Sequence, residues 1–484
     1  MKTKILFGTL LLIQFSFSQE LEINELTYDD YFSDLQVLNK TIEAQHPNPY
    51  KYVSKEEQQK KQRIALNRLK KEPSYPKFLQ ALNRFGDGHL QYDFPEEFID
   101  NSIMKFSFFP FPVLVREGKM FVNYKNGVIP FGNQISSIQG TSIKSILKKI
   151  NEHVHGDGYI NSHTEEQVSL NFPFLYSYFM HTKTTIFSIE YIDDITGLKK
   201  TIQIPAIDYY ENYRRNRLAI HPVNQLEIAE NIHGRYYPSK KTGVLTVNSF
   251  DSNEASAYKS YSKFFKTINI EGYQTVIIDI RNNTGGDPNI AALLFSFIVD
   301  QNFKNIFNYR VSSIKVNSEN LMNDYGNPAG ENEIEEFENF LYQRFNLNEN
   351  IYIGNDRLKE GVLENFPPDK DNFKGEVYVI TGGQTFSAAV YFAKLFKKYK
   401  RGTVIGLETG GNENTTFAGY FLNYKLPKTK LKVRIPIAEL YFDDISDTNH
   451  GVLPDRIIPL SQYINYLKQE KDPEIQYILD LKAK

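Results

Sequence analysis

Apolar positions recur at three- and four-residue spacing near the start of the chain. Phe32, Leu35, Leu38 and Ile42 mark one face of a helix over Tyr28–Glu43. That helix is predicted to stop before His46-Pro47-Asn48-Pro49, because a residue ahead of proline is pushed to extended backbone. Ser54 and Glu57 have the spacing of a capping box for a second, very polar helix reaching about Lys71. A third, from Ser74, carries Phe78, Leu79, Leu82 and Phe85 and is predicted to end at Gly86, a residue free to adopt left-handed backbone. Asp87, Gly88 and His89 then fall on a turn, and Leu90–Phe94 reads as extended.

Between residues 101 and 240 the pattern shortens into strand-like runs: Pro112–Arg116, Lys119–Asn123, Gln134–Ile138 and Thr185–Tyr191. From Thr242 to about Leu460 apolar strands alternate with helical stretches. Val244–Val247 precedes Glu254–Thr267, Thr275–Ile280 precedes Asn289–Phe297, and Val377–Ile380 precedes Phe386–Phe396, with Thr403–Leu407 after it. That alternation predicts an α/β domain with helices packed on a central sheet, in a chain that is multidomain α+β overall. A polar, acidic insertion over 301–374, helical near Ile334–Phe345, interrupts it. The expected division is a helical region at 19–100, a β-rich region at 101–240, the α/β domain at 241–462 and a C-terminal helix at 463–484.

Residues 1–18 stand apart. Lys2 and Lys4, the apolar run Ile5–Phe15, and Ser16 and Ser18 make the three parts of a cleavable signal peptide, with the cut expected between Ser18 and Gln19. The run falls short of the ~20 residues a spanning helix needs, and no cysteine follows it for lipidation. The expectation is a periplasmic or secreted protein with no stable membrane insertion after cleavage. The 484 residues hold 56 Lys and Arg against 58 Asp and Glu, a balance that argues against nucleic acid as partner. Absence of cysteine removes disulfides, thiolate metal sites and cysteine nucleophiles. The sequence sets no oligomeric state.

Candidate chemistry concentrates in two glycine-rich turns. Gly382-Gly383-Gln384-Thr385-Phe386-Ser387-Ala388-Ala389 follows a strand and opens a helix. A serine there presents its hydroxyl at a sharp turn, beside N–H groups and the positive end of a helix that favour a developing oxyanion. The plainer role for Ser387 is to cap that helix. Asp279-Ile280-Arg281-Asn282-Asn283-Thr284-Gly285-Gly286 also ends a strand and precedes a helix, so both turns fall on the same edge of an open sheet, where ligands bind. Gly285 or Gly286 N–H is expected to join Ala388 N–H in an oxyanion hole. The turn lacks the Lys-Ser/Thr of a nucleotide loop.

A serine hydroxyl needs a base. Of nine histidines, His89 is the best placed, on a tight turn between glycine and an extended run. His153 and His155 share a strand face, but no third ligand accompanies them and no metal is expected. His46 serves its proline turn and His450 reads as surface.

Together these pieces resemble the C-terminal processing peptidase and tricorn-like superfamily of serine peptidases. Gly86-Asp87-Gly88-His89 looks like the histidine turn of the tricorn-like branch, and Ile135–Gly140 with Ser142-Ile143 resembles the end of a PDZ-like domain. Ile278–Gly286 is similar to the oxyanion loop, and Thr381–Ala389, Val404-Ile405-Gly406 and Gly451-Val452-Leu453-Pro454-Asp455 to the nucleophile helix and closing strand. The resemblance implies a crotonase-like catalytic domain, an N-terminal helical domain carrying His89, a PDZ-like module, a polypeptide substrate and no cofactor. In the processing-peptidase branch a lysine stands 25 residues after the serine; here that place is Asn412, and Lys394 lies seven residues along the helix, ~10 Å away. The histidine mechanism is therefore implied, with Ser387 as nucleophile and His89 as base. The histidine branch also carries an acid before its closing Gly-x-x-Pro-Asp and a serine before the histidine. Thr448 and Gly88 stand in those places, so Asp447 is expected as orienting acid, with Asp444 and Glu439 as alternatives. The other function such a scaffold implies is a carrier binding an apolar ligand or peptide in the same cleft, lined by some of the 36 Phe and 32 Tyr.

Overall fold

The computed structural model describes residues 26–482 apart from 84, 97, 99–102, 155, 181–183, 222–230, 305–306, 360–364, 443–445 and 447. The expected signal peptide lies outside these residues. The architecture is mixed α/β, with four sheets among the described residues.

The sheet that positions the site runs Thr403–Gly406, Glu376–Thr381, Thr275–Asp279, Thr242–Val247 and Ile232–Tyr237 in spatial order; the first four are parallel and the last antiparallel. Its central strands are buried on both faces, which is why they read as continuous apolar runs rather than alternating ones. Strand periodicity still sorts the side chains. Leu245, Val247, Val276, Ile278, Val377 and Val379 face helices Glu254–Ile270, Pro288–Ser296 and Ala388–Lys398. Val244, Ile277, Tyr378, Ile380 and Ile405 face two closing helices, Leu460–Lys468 and Pro473–Leu481. The single helix expected over 463–484 is thus two. Asp472 caps the second, and Pro473 starts it where no backbone N–H is needed.

Helices Tyr28–Gln45 and Lys55–Lys71 form where the periodicity and caps place them. The third stops at Ala81, a turn earlier than expected: Leu82 is already extended, and Leu82 and Phe85 reach the core from irregular backbone. Strand Gln91–Asp93 follows the Asp87–His89 turn and pairs antiparallel with Lys432–Pro436, Gln91 opposite Arg434. That pairing stitches the amino-terminal helices to the last strands of the chain. The middle region has an antiparallel sheet of Val113–Arg116, Lys119–Val122, Gln134–Ile138, Ile186–Ile192 and Lys199–Pro205. It also holds helix Asn161–Phe179, which strand-like patterning did not reveal; Pro173 lies inside that helix and masks its period. The 301–374 insertion is woven in rather than looped out. Its strands Phe307–Val311 and Leu321–Met322 pair with Ala438–Phe442 and Phe421–Lys425.

A buried ionic cluster locks the closing helices to the Asp279–Gly286 turn. Arg281 donates to Asp279 Oδ1 and Oδ2 at 2.9 and 2.8 Å, to Asp472 Oδ1 and Oδ2 at 3.1 and 2.8 Å, and to Glu474 Oε2 at 2.6 Å. Removing one partner of such a cluster strands the others without solvent. Arg281→Ala is expected to lower unfolding free energy by ~3–5 kcal/mol in denaturant titration; a loss under ~1 kcal/mol would show the cluster to be solvated.

Candidate active site

Parallel pairing of Thr275–Asp279 with Glu376–Thr381 ends at Asp279 opposite Ile380, so the two glycine-rich turns leave the sheet side by side. They remain bonded beyond it. Thr385 Oγ1 donates to Ile280 O at 2.9 Å, and Phe386 N–H donates to Asn283 O at 3.0 Å. Gly285 then lies so close to the serine turn that an added Cβ would sit 2.6 Å from Ser387 Cβ and 3.2 Å from Ala388 N. Only glycine allows that approach, at φ +112°.

Ser387 stands at the start of helix Ala388–Lys398 with φ 53° and ψ −123°, a conformation an L-residue holds at a cost of ~1–3 kcal/mol. Its hydroxyl makes no capping bond to that helix. Ser387 therefore does not cap the helix it starts. The N–H of Gly285 donates to Asn283 Oδ1 at 2.9 Å, so that glycine shapes the turn and does not serve as an oxyanion donor. Among the described residues, the N–H groups of Gly286 and Ala388 have no intramolecular acceptor.

His89 comes to this edge from the opposite end of the chain. Its ring lies 4.9 Å from the ring of Phe386, the residue before Ser387, and Gly88 packs so tightly on that ring that a Cβ would stand 2.4 Å from Phe386 Cζ. Thr416 Oγ1 is 3.3 Å from His89 Nδ1. Burial among these rings pulls the imidazole pKa down to about 4, Asp87 opposing and the nearby Arg434 and His163 adding to the fall. His89 is therefore neutral at pH 7, as a general base must be. His163 also packs on Phe386, with ring centroids 5.3 Å apart, and has Nδ1 2.8 Å from Gly383 O.

Of the acids expected to orient His89, Asp447 and Asp444 lie outside the described residues. Glu439 is fully buried and held elsewhere, by Lys51 at 2.7 Å, Arg310 at 2.9 Å and Tyr441 at 2.9 Å. The carboxylates brought to the histidine turn are two that the sequence reading passed over. Asp87 accepts the His89 N–H at 2.7 Å and lies 3.1 Å from His46 Nε2. Asn48 N–H donates to His46 Nδ1 at 3.1 Å, which leaves Nε2 to carry the ring proton and donate it to Asp87. His46 is thus a buried prop and not only a turn residue. Asp157, between Gly156 and Gly158, accepts Gly88 N–H at 3.0 Å and Asn412 N–H at 3.2 Å. One oxygen of each carboxylate and one ring nitrogen of His89 lie within 4.8 Å of one another. A cation could bridge that spacing; with each carboxylate already accepting two N–H groups, we assign no metal ligands here. The signal for Asp157 was a lone acid flanked by glycines, indistinguishable in sequence from a solvated loop.

Asn412, in the place of the processing-peptidase lysine, is a buried structural amide: its Nδ2 donates to Thr448 O at 2.6 Å and its Oδ1 accepts Asn414 N–H at 3.0 Å. Lys394 Nζ is bonded to Asn414 Oδ1 and Phe442 O at 2.6 and 2.8 Å, so it is no base for Ser387. His153 stacks on Phe179, His155 lies outside the described residues, and His450 is half exposed. A cleft of about 740 Å³ is lined by insertion residues such as Ile314, Tyr342 and Phe345 and includes none of the site residues.

Residues 241–458 match the model of peptidase family S41. The chain carries an S41 peptidase domain. Both glycine-rich turns fall inside it, whereas His89 and Asp157 come from outside. Among solved structures, mature CPAF complexed with lactacystin is 13% identical, with 94% of this chain and 98% of that one aligned and a TM-score of 0.58. A serine-to-alanine variant of CPAF is 14% identical over 94% and 96%, with a TM-score of 0.60. These likenesses show the fold alone. The photosystem II D1 C-terminal processing protease aligns over 94% and 97% at 10% identity, but its TM-score of 0.39 carries no argument. No curated protein matches the chain. No helix among the described residues is long and apolar enough to cross a membrane.

The S41 domain's turns leave no room for side chains. A Cβ on Gly286 would stand 2.3 Å from Asp251 N and Phe250 C at φ +129°, whereas Gly140, also at positive φ, has open space around it. Gly140→Ala is expected to cost ~1 kcal/mol. Gly286→Ala should cost more than ~2 kcal/mol, because backbone must move. Thermal unfolding of the two variants checks the order.

Proposed function

We propose that the chain is a serine peptidase in which Ser387 is the nucleophile, His89 the general base, and the N–H groups of Gly286 and Ala388 the oxyanion donors. One observation carries the reading: Ser387 is held in a strained, uncapped conformation at a helix start, against a glycine turn whose own geometry leaves an N–H unbonded. No bond from the Ser387 side chain to its helix accounts for that strain.

The chemistry follows. Ser387 Oγ bonds to the carbonyl carbon of the scissile peptide as its proton passes to His89, and the carbonyl π pair moves to oxygen, where Gly286 and Ala388 N–H receive it. The tetrahedral intermediate collapses, the C–N bond breaks, and His89 returns the proton to the departing amine. Water repeats the sequence on the acyl-enzyme, and Ser387 is regenerated. The apolar leader in the sequence supports an extracytoplasmic polypeptide substrate, and the antiparallel middle sheet, in the region expected to be PDZ-like, would present it. The carrier reading gains nothing from the many aromatic side chains, such as Tyr31, Tyr261, Tyr391 and Phe172, that pack into the cores.

Casein and unstructured peptides test the assignment. Ser387→Ala and His89→Ala should each reduce kcat/KM by ~10³-fold or more, because such residues act as a unit; equal turnover in wild type and variants would remove it. As pH falls, activity should drop with a midpoint near 4, where His89 takes up a proton, rather than near the ordinary histidine value of 6.5. A stopped-assay pH profile of kcat/KM reads this midpoint.

A further inference from the structure

We propose that Asp157, a residue of the middle region outside the S41 domain, is the positioning acid for His89. The inference rests on the peptidase reading and adds to it the source of the imidazole's orientation. Three observations carry it. Asp157 is 2% exposed although it sits on a glycine-flanked loop between helices, where an acid would ordinarily face water. Its two oxygens are shared between the two sides of the site: Oδ1 takes the N–H of Gly88 on the histidine turn, and Oδ2 takes the N–H of Asn412 in the glycine-rich loop packed on Phe386. It also shares the 4.8 Å cluster with Asp87 and the His89 ring.

The loop that carries it is fixed to the same turn. Gly158 N–H donates to Gly86 O at 2.8 Å, and its open backbone lets Tyr52 pack where a Cβ would stand 2.9 Å from the ring. Asp87 divides its charge between His46 and the His89 backbone N–H. A second buried carboxyl beside it strengthens the negative field that an imidazolium needs. Asp157 moves no proton in the reaction; it holds the turn and stabilises the charge that His89 acquires.

The two acids repel one another. Burial first and Asp87 second raise the Asp157 pKa to about 7, with Gly88 N–H, Asn412 N–H and Lys51 opposing. The other charged or titratable groups facing the cluster are His46 behind Asp87, and Arg434 and His163 beside His89. As pH rises through about 7, Asp157 ionises and the imidazolium is better stabilised. A step in kcat near pH 7 should therefore overlie the fall near pH 4.

The test compares wild type, Asp157→Asn and Asp157→Glu on casein-derived peptides, with Ser387→Ala as blank. Asp157→Asn should lower kcat by ~10–100-fold with KM changed less than about twofold and should lose the step near pH 7; Asp157→Glu should restore part of both. A second readout needs no turnover: thermal midpoints from pH 4 to 8 in the Ser387→Ala background. With its folded pKa above the unfolded value of 3.8, wild-type Asp157 makes the fold less stable as pH rises from about 4 to about 7. Asp157→Asn should therefore gain in relative midpoint across that window. Wild-type kcat and an unchanged pH profile in Asp157→Asn would overturn the proposal, as would a loss of midpoint with the step near pH 7 retained. If wild type shows no hydrolysis above the Ser387→Ala blank, the peptidase reading fails, and a midpoint difference flat with pH would then sink the Asp157 inference separately.

Discussion

The structure depends on one register. Because Asp279 stands opposite Ile380 in a parallel pair, the turns that follow both strands emerge at the same height and in the same direction. Had the pairing slipped by one residue, Gly285 would not face Ser387, and the apolar residues of either strand would exchange faces. The register is guarded by two independent cores, one on each side of the sheet. Precision at the serine turn is thus inherited from the packing of side chains that never touch a substrate.

The histidine is held by different means. Its turn belongs to the amino-terminal region, yet it is bonded to a loop of the middle region through Gly88 and Asp157 and is followed by a strand paired with Lys432–Pro436. Backbone N–H groups of the turn meet buried carboxylates here, so both the glycines and the two aspartates are constrained. Gly88, Gly383 and Gly410 are each places where chain segments meet with no space for a Cβ.

Local signals made much of this legible. Helix Tyr28–Gln45 and strand Gln134–Ile138 were visible because periodicity and turn residues agreed with the tertiary environment. The two glycine-rich turns were readable because each follows a strand that reads as a continuous apolar run. Helix Asn161–Phe179 was hidden by Pro173, and the two-helix close by a run whose apolar spacing continues past Asp472-Pro473. Asp157 and His46 were not legible at all. A carboxylate's role depends on which donors the fold delivers to it, and those donors, Gly88 and Asn412, lie 69 and 255 positions away.

The guanidinium of the Asp279–Gly286 turn has a consequence for how the molecule is assembled. Arg281 meets Asp472 and Glu474 across 191 and 193 positions of chain. During synthesis, two of its three counter-charges are therefore delivered only after nearly two hundred further residues have left the ribosome, domains folding as units in the meantime. The Asp279–Gly286 turn is therefore clamped late, after the strand it follows and that strand's neighbours have been made.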